Sequence, residues 1–186
     1  IDFEKVDEAA HYIPCGRNVW EGRNERFDLT VLRCYRNLKD TRRLERSLGT
    51  LGGGNHFIEL DIDEDKIVYL IVHSGSRHLG KEVTEYYLAE GQKELKNKGI
   101  NIPYELTYLE DALLDSYLHD LEIVQEFAAL NREIIITEIT KGMKWKVTDS
   151  YSCIHNYVDF GYDTPILRKG AISAKKDERV IIPINM

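Results

Sequence analysis

Gly49-Thr50-Leu51-Gly52-Gly53-Gly54-Asn55-His56-Phe57-Ile58-Glu59-Leu60-Asp61-Ile62 is the stretch on which the fold turns. Three successive glycines suit neither a helix nor a regular strand, and they allow positive φ and close approach of a ligand to the backbone. From Phe57 to Ile62 apolar and polar residues alternate, which predicts a half-buried strand. Asp63-Glu64-Asp65 reads as a turn. Ile67 to Val72 is apolar and rich in β-branched residues, and it predicts a buried strand that pairs with the first as a hairpin.

Upstream, residues 1–25 read as loop with one short helix. Leu29, Leu32, Leu38, Leu44 and Leu48 recur near helical spacing, which predicts a helix capped by Asp28 and stopped by Gly49. Downstream, a helix is expected over about Gly80 to Lys98, ended by Gly99. The longest helical signal runs from Leu109 to about Thr140. Leu113, Leu114, Tyr117, Leu118, Leu121, Val124, Phe127 and Ala128 form its stripe, and Gly142 is expected to close it. Unbroken, it would be roughly 45 Å long. Four strand-like segments follow: Trp145 to Thr148, Ser152 to Val158, Pro165 to Leu167 and Arg179 to Ile184. Strands and helices do not alternate strictly, so the expected class is α+β, with mixed or antiparallel sheets, one long helix and flanking helices. Residues 1–186 are expected to form one domain.

The chain has 186 residues, of which 42% are hydrophobic. That composition excludes a disordered or collagen-like chain. No apolar run approaches the ~20 residues of a membrane span. Cys15, Cys34 and Cys153 are scattered and odd in number, which argues for reduced thiols and a cytoplasmic setting. The net charge of −7 hides a contrast. Arg23, Arg26, Arg33, Arg36, Lys39, Arg42, Arg43 and Arg46 face only four acids in the same span, so that segment is basic within an acidic chain. A local basic face can hold a polyanion, because phosphate contacts act within a Debye length. Composition alone favours the plainer reading, a solvated helix face of mixed charge.

Three places put ligand-type side chains beside glycine or at a strand end. The glycine amides at 52–54 can form an anion nest, with His56 and Glu59 close by. His73-Ser74-Gly75-Ser76-Arg77 ends the second strand, offering an imidazole, two hydroxyls and a bidentate guanidinium to a phosphate. Cys153-Ile154-His155-Asn156 is the third. Each also reads as ordinary structure: a tight turn with a buried histidine, a strand cap, a strand end. Converging strand-end histidines would suit Mn²⁺, Zn²⁺ or Fe²⁺.

Taken together, these segments resemble the RtcB family of RNA ligases. Gly49 to Glu59 is similar to its signature and His73-Ser74-Gly75-Ser76-Arg77-His78-Leu79-Gly80 to its second histidine motif. His155-Asn156 resembles its third, and Arg168-Lys169-Gly170-Ala171 its downstream element. The resemblance implies an enzyme that uses Mn²⁺ and GTP to join RNA 2′,3′-cyclic phosphate or 3′-phosphate ends to 5′-hydroxyl ends, through guanylylation of a histidine and transfer of GMP to the RNA 3′-phosphate. It implies His56, His73 and His155 as metal ligands, and Asn55, His56, Phe57, Ile58, Glu59, His155 and Asn156 as the GTP/GMP contacts. Arg77, Arg168 and Lys169, with Arg42 and Arg43 from the basic segment, would hold RNA or its phosphates. RNA ends and GTP are the partners so implied, with a helper protein left open and no membrane.

Two family elements are missing. The residues three before Cys15, Cys34 and Cys153 are Tyr12, Val31 and Ser150, so no Asp-x-x-Cys metal motif is present. No histidine is followed by Gly-Ala-Gly-Arg, so the nucleophilic histidine motif is not in this sequence and no catalytic residue is assigned. The expectation is an internal fragment, an incomplete central part of a larger catalytic domain. It would be inactive in ligation by itself and prone to self-association through open strand edges. The alternatives are a non-catalytic RNA- or nucleotide-binding protein on the same scaffold and a metal-dependent phosphoesterase.

Overall fold

A computed structural model describes residues 1–22 and 25–182. Arg23 of the basic segment and residues 183–184 of the last expected strand lie outside the described residues. The chain divides into two compact units, Ile1–Lys146 and Val147–Met186.

The first unit opens with α1, Phe3–His11. Two 3₁₀ turns, Leu29–Val31 and Tyr35–Asn37, lead to the short α2, Thr41–Arg46. Then come the strands β1, Phe57–Ile62, and β2, Val68–His73. Two long helices follow, α3, Arg77–Asn97, and α4, Asp111–Met143. β1 and β2 form an antiparallel pair in which Phe57 faces His73 and Ile58 faces Val72. Period-2 geometry sends Ile58, Leu70 and Val72 to one face, where they pack with Ile13, Ile135 and Ile139. Phe57, Glu59 and His73 share the other.

α4 serves two apolar clusters. Val124 and Phe127 pack with Leu29, Leu44, Leu48, Leu79, Val83 and Tyr87. Ile135 and Ile139, further along, back the hairpin. Each fully buried side chain of this kind contributes about 1.5–3 kcal/mol relative to exposure.

The leucines at 29–48 do become core, but not as one helix. The Leu32 and Leu38 backbones are extended, with ψ of 130° and 138°. Short 3₁₀ turns close part of the segment, and three of its amides bond instead to side chains from the long helices. Asp120 of α4 accepts from the Arg33 and Cys34 amides at 2.8 and 3.0 Å, and Glu82 of α3 accepts from the Lys39 amide at 2.8 Å. Asp28 does cap, but only a 3₁₀ turn, accepting from the Thr30 amide.

Two boundaries also differ. α3 begins at Arg77, three residues before the expected start. α4 runs through Gly142, and its left-handed terminator is Lys144 (φ 55°), followed by a Trp145 amide bond to the Thr140 carbonyl.

The second unit holds an antiparallel pair, β3, Asn156–Asp159, and β4, Ile166–Lys169. Both sheets are therefore antiparallel, on an α+β scaffold. Trp145 to Thr148 and 179–182 form no strand among the described residues. A β-branched run becomes a strand only with a partner, and here the Trp145 amide finishes a helix while Arg179 bonds to Asp149 at 2.7 Å. Among the described residues no helix is long and apolar enough to cross a membrane.

Burial raises the Asp120 carboxyl pKa, but donors from His119, the Arg33 amide, Tyr87 and the Cys34 amide outweigh it and hold the group below the ordinary carboxylate value. The stability this gives is present above the unfolded value of about 3.9 and is lost as pH falls through the folded one. Asp120→Ala strands a buried hydroxyl and two amides, so urea melts at neutral pH should show a loss of at least about 3 kcal/mol. The same melts repeated down to pH 3 should show a shallower acid limb than in the wild type. Burial also pushes the Cys34 thiol up to about 12, whereas Cys15 is exposed. A thiol reagent at pH 8 should therefore modify Cys15 at once and Cys34 only after unfolding, as read by mass spectrometry.

Candidate functional site

The loop before β1 and the end of β2 come together in the first unit. The His56 and His73 rings lie 5.8 Å apart, centre to centre, tilted by 44°. Phe57 meets the His73 ring edge-on at 5.1 Å. Hairpin pairing accounts for this. Phe57 and His73 are cross-strand partners, and His56 is the loop residue just before them.

The Leu51 carbonyl is the common anchor. It accepts from the Ser74 hydroxyl at 2.7 Å, from His56 Nδ1 at 2.9 Å and from Arg77 Nη1 at 3.3 Å. A carbonyl only accepts, so His56 carries its proton on Nδ1 and leaves Nε2 as the basic nitrogen. Arg77 Nη1 also sits 3.3 Å from His56 Nδ1, a contact of two donors converging on one oxygen. The rest of the guanidinium is held by Thr50 Oγ1 at 3.0 Å and the Gly16 carbonyl at 3.0 Å. Arg77 thus organises the loop from inside it, and burial pulls its pKa below the ordinary arginine value. Its own backbone is left-handed, at φ 56°. Strained backbone of this kind persists where surrounding contacts fix it, often at functional sites.

Gly52 has two reasons to be glycine. Its φ is +95°, and a Cβ there would overlap the Arg77 guanidinium and press on His56 Nδ1. The residues before the loop close its other side. The Gly16 amide bonds to the Gly52 carbonyl at 2.7 Å and the Leu51 amide to the Pro14 carbonyl at 2.9 Å.

One contributor was not read from the sequence. Asn131 of α4 is fully buried, between the two apolar clusters. Its Oδ1 accepts from the Gly49 and Thr50 amides at 2.8 and 3.1 Å. Its Nδ2 donates to the Thr50 carbonyl, Ser74 Oγ and the Gly75 carbonyl at 3.2, 2.9 and 3.2 Å. Two donors on one side and three acceptors on the other fix which end of the amide is oxygen. Ser74 is only 5% exposed, so its hydroxyl serves this network rather than an outside phosphate. A polar residue four positions after Phe127 and four before Ile135, on an otherwise apolar stripe, is the signal that marks it.

The other expected residues fall as follows. Asn55 is exposed at the loop tip, while Phe57 and Glu59 share the His73 face of the hairpin. Ile58 packs inward, so any ligand contact from it falls to its backbone. Arg42 and Arg43 are exposed on α2. Arg43 bonds to the Arg17 carbonyl, and Arg42 lines a cleft with Tyr35 and Arg46. In the second unit, the third and fourth motifs are the two ends of one hairpin. Asn156 pairs with Lys169, its side chain accepting from the Gly170 amide at 2.9 Å and contacting His155 Nδ1 at 3.1 Å. Arg168 is 15% exposed, ion-paired to Asp159 at 2.9 Å and bonded to the Ile172 carbonyl at 3.1 Å. Lys169 is exposed.

The first unit's pair fits a shared first-row ion. Imidazole nitrogens about 2 Å from one metal put the ring centres at most roughly 6.5 Å apart, and 5.8 Å lies within that. Among the described residues no group of three His, Cys, Asp or Glu completes a cation cage. The pair by itself could fill two coordination positions of such a site.

Neighbouring imidazoles from the glycine loop and the end of β2, braced by a half-buried guanidinium and a buried amide, define a candidate metal site on an α+β scaffold. Comparison with known proteins shows the family. The family described as tRNA-splicing ligase RtcB matches residues 24–186, and the chain belongs to that family. Similar proteins include the RNA-splicing ligase RtcB1 of an Escherichia coli strain, 36% identical over 159 residues, covering 76% of this chain and 39% of the relative. The RNA-splicing ligase RtcB of Escherichia coli strain K12 is 34% identical over 160 residues, with the same coverage. The tRNA-splicing ligase RtcB of Pyrobaculum aerophilum is 32% identical over 115 residues, 52% of this chain and 24% of that protein. The chain thus spans about two fifths of the length of the first two.

Gly52→Ala should destabilise the first unit by at least about 1–2 kcal/mol from backbone strain alone. In an Arg77→Ala background the added cost should be smaller, because the overlap is gone. A double-mutant cycle by urea unfolding reads this coupling.

Proposed function

We propose that this chain carries part of the catalytic centre of an RNA ligase that joins 2′,3′-cyclic phosphate or 3′-phosphate RNA ends to 5′-hydroxyl ends, using GTP and Mn²⁺. The observation that carries the reading is the facing His56–His73 pair, held at the junction of two of the four ordered family motifs. Phosphoryl transfer is mostly positioning and charge neutralisation, so a metal held by rigid imidazoles is the chemistry such a centre needs.

In this reading His56 binds through Nε2, its Nδ1 proton held by the Leu51 carbonyl, a bond that fixes the ring and raises its basicity. His73 is the second ligand. Sequence resemblance, not the placement of the second unit, assigns His155 to the same metal. Phe57 steadies the His73 ring and, with Asn55 and Glu59, offers guanine-nucleotide contacts; sequence resemblance alone adds Asn156. Lys169, Arg42 and Arg43 are the basic groups exposed for RNA phosphates, whereas Arg77 and Arg168 bind through whatever their internal bonds leave. The scattered, odd-numbered cysteines favour a cytoplasmic setting.

The full natural protein should become covalently labelled by α-phosphate-labelled GTP in the presence of Mn²⁺, and should join a 3′-phosphate RNA to a 5′-hydroxyl RNA. His73→Ala should reduce both by at least about 100-fold. Binding of RNA or GTP with neither labelling nor ligation would replace this reading with the non-catalytic one. Phosphate release without GTP would favour a phosphoesterase.

A further inference from the structure

We infer that Asn131 is a positioning residue for the metal pair, acting through the loop rather than touching any ligand. The inference rests on the reading of His56 and His73 as metal ligands. The two imidazoles come from separate segments, the glycine loop and the end of β2. The loop is glycine-rich with positive φ at Gly52 and Gly54, and β2 is followed by the non-strand residues Ser74 and Gly75. Beyond the β1–β2 pairing that sets Phe57 opposite His73, one buried carboxamide ties the loop to the segment after β2. Asn131 binds Gly49 and Thr50 on the loop side and Ser74 and Gly75 on the strand side. Ser74 passes the constraint on, donating to the Leu51 carbonyl that also accepts from His56 Nδ1. The next residue along α4, Arg132, bonds to the Ser74 carbonyl at 3.2 Å and reinforces the strand side.

Chemistry limits what can replace this side chain. Asp presents oxygens to the three acceptors that Nδ2 now serves, and it adds a buried charge. Ala leaves the two amides and the acceptors unmet. Either change loosens the loop against the strand end and so widens the spread of distances between the two rings. An ordinary core residue on the same helix has no such lever. Phe127, one turn earlier, packs only among apolar side chains.

The test uses the full natural protein as wild type, Asn131→Ala, Asn131→Asp, the milder Ser74→Ala, and Phe127→Leu as a control of comparable destabilisation. Two readouts are taken well below the melting temperatures. The first is the carbon-bound ring-proton spectra of His56 and His73 at pH 8 without metal. The second is the dissociation constant for Mn²⁺, from the spin-resonance signal of the free ion. The expectation is that both Asn131 variants and Ser74→Ala shift or broaden the two histidine signals while Phe127→Leu does not. Mn²⁺ affinity should fall at least about tenfold for Asn131→Ala and stay within about twofold for Phe127→Leu. Folded variants with unchanged ring spectra would overturn the inference, as would an affinity loss equal to that of Phe127→Leu. If neither Asn131 variant folds, unchanged ring signals in Ser74→Ala overturn it and shifted ones uphold it. Failure of the wild type to bind Mn²⁺ would defeat the metal reading, and the ring spectra would still decide the role of Asn131.

Discussion

An irregular segment that runs through a protein interior must find a partner for every amide and carbonyl it brings with it. In the first unit, side chains on the two long helices supply those partners. Asp120 takes the amides of Arg33 and Cys34, Glu82 takes that of Lys39, and Gln92 donates to the carbonyls of Ile102 and Pro103. Asn131 does the same for the glycine loop and the strand end. Polar groups are buried here in number, and their bonds turn loops into fixed parts of the core.

The candidate site is the most constrained of these loops. The Leu51 carbonyl collects three donors, and the guanidinium of Arg77 fills the space that a side chain at residue 52 would need. The imidazoles are thus oriented before any ligand arrives. A metal bound there would meet little reorganisation, which is how a rigid scaffold gives a site its affinity. The second unit uses the same device on a smaller scale. Asp159, held below the usual carboxylate range by the Gly161 amide and Arg168, ties the two strands of its hairpin together.

What was legible in the sequence is what local pattern determines. Phe57–Ile62 alternates and is a strand, and the apolar stripe of α4 predicts most of its length. The glycine loop and its histidines stand out because no regular element would choose them. The segment from Leu29 to Leu48 misleads because leucine spacing records burial, not backbone hydrogen bonding. Two of its amides are claimed by Asp120, 86 and 87 residues away in sequence, and no local reading reaches that far. Arg77 illustrates a different limit. Its residue type suggests a phosphate fork, but its neighbours make it a brace. Asn131 and Asp120 are polar residues on an apolar stripe, a signal the sequence reading leaves unused, and their partners are set by the fold.

The central claim is that the loop and the hairpin end are locked so that His56 and His73 serve one metal ion. Anomalous diffraction from crystals of the full natural protein soaked in Mn²⁺ tests it most directly. The account predicts a manganese peak about 2 Å from Nε2 of His56 and from a ring nitrogen of His73, with the His56 Nδ1 to Leu51 bond intact. A peak that touches only one of the two rings, or none at either under saturating Mn²⁺, would contradict it.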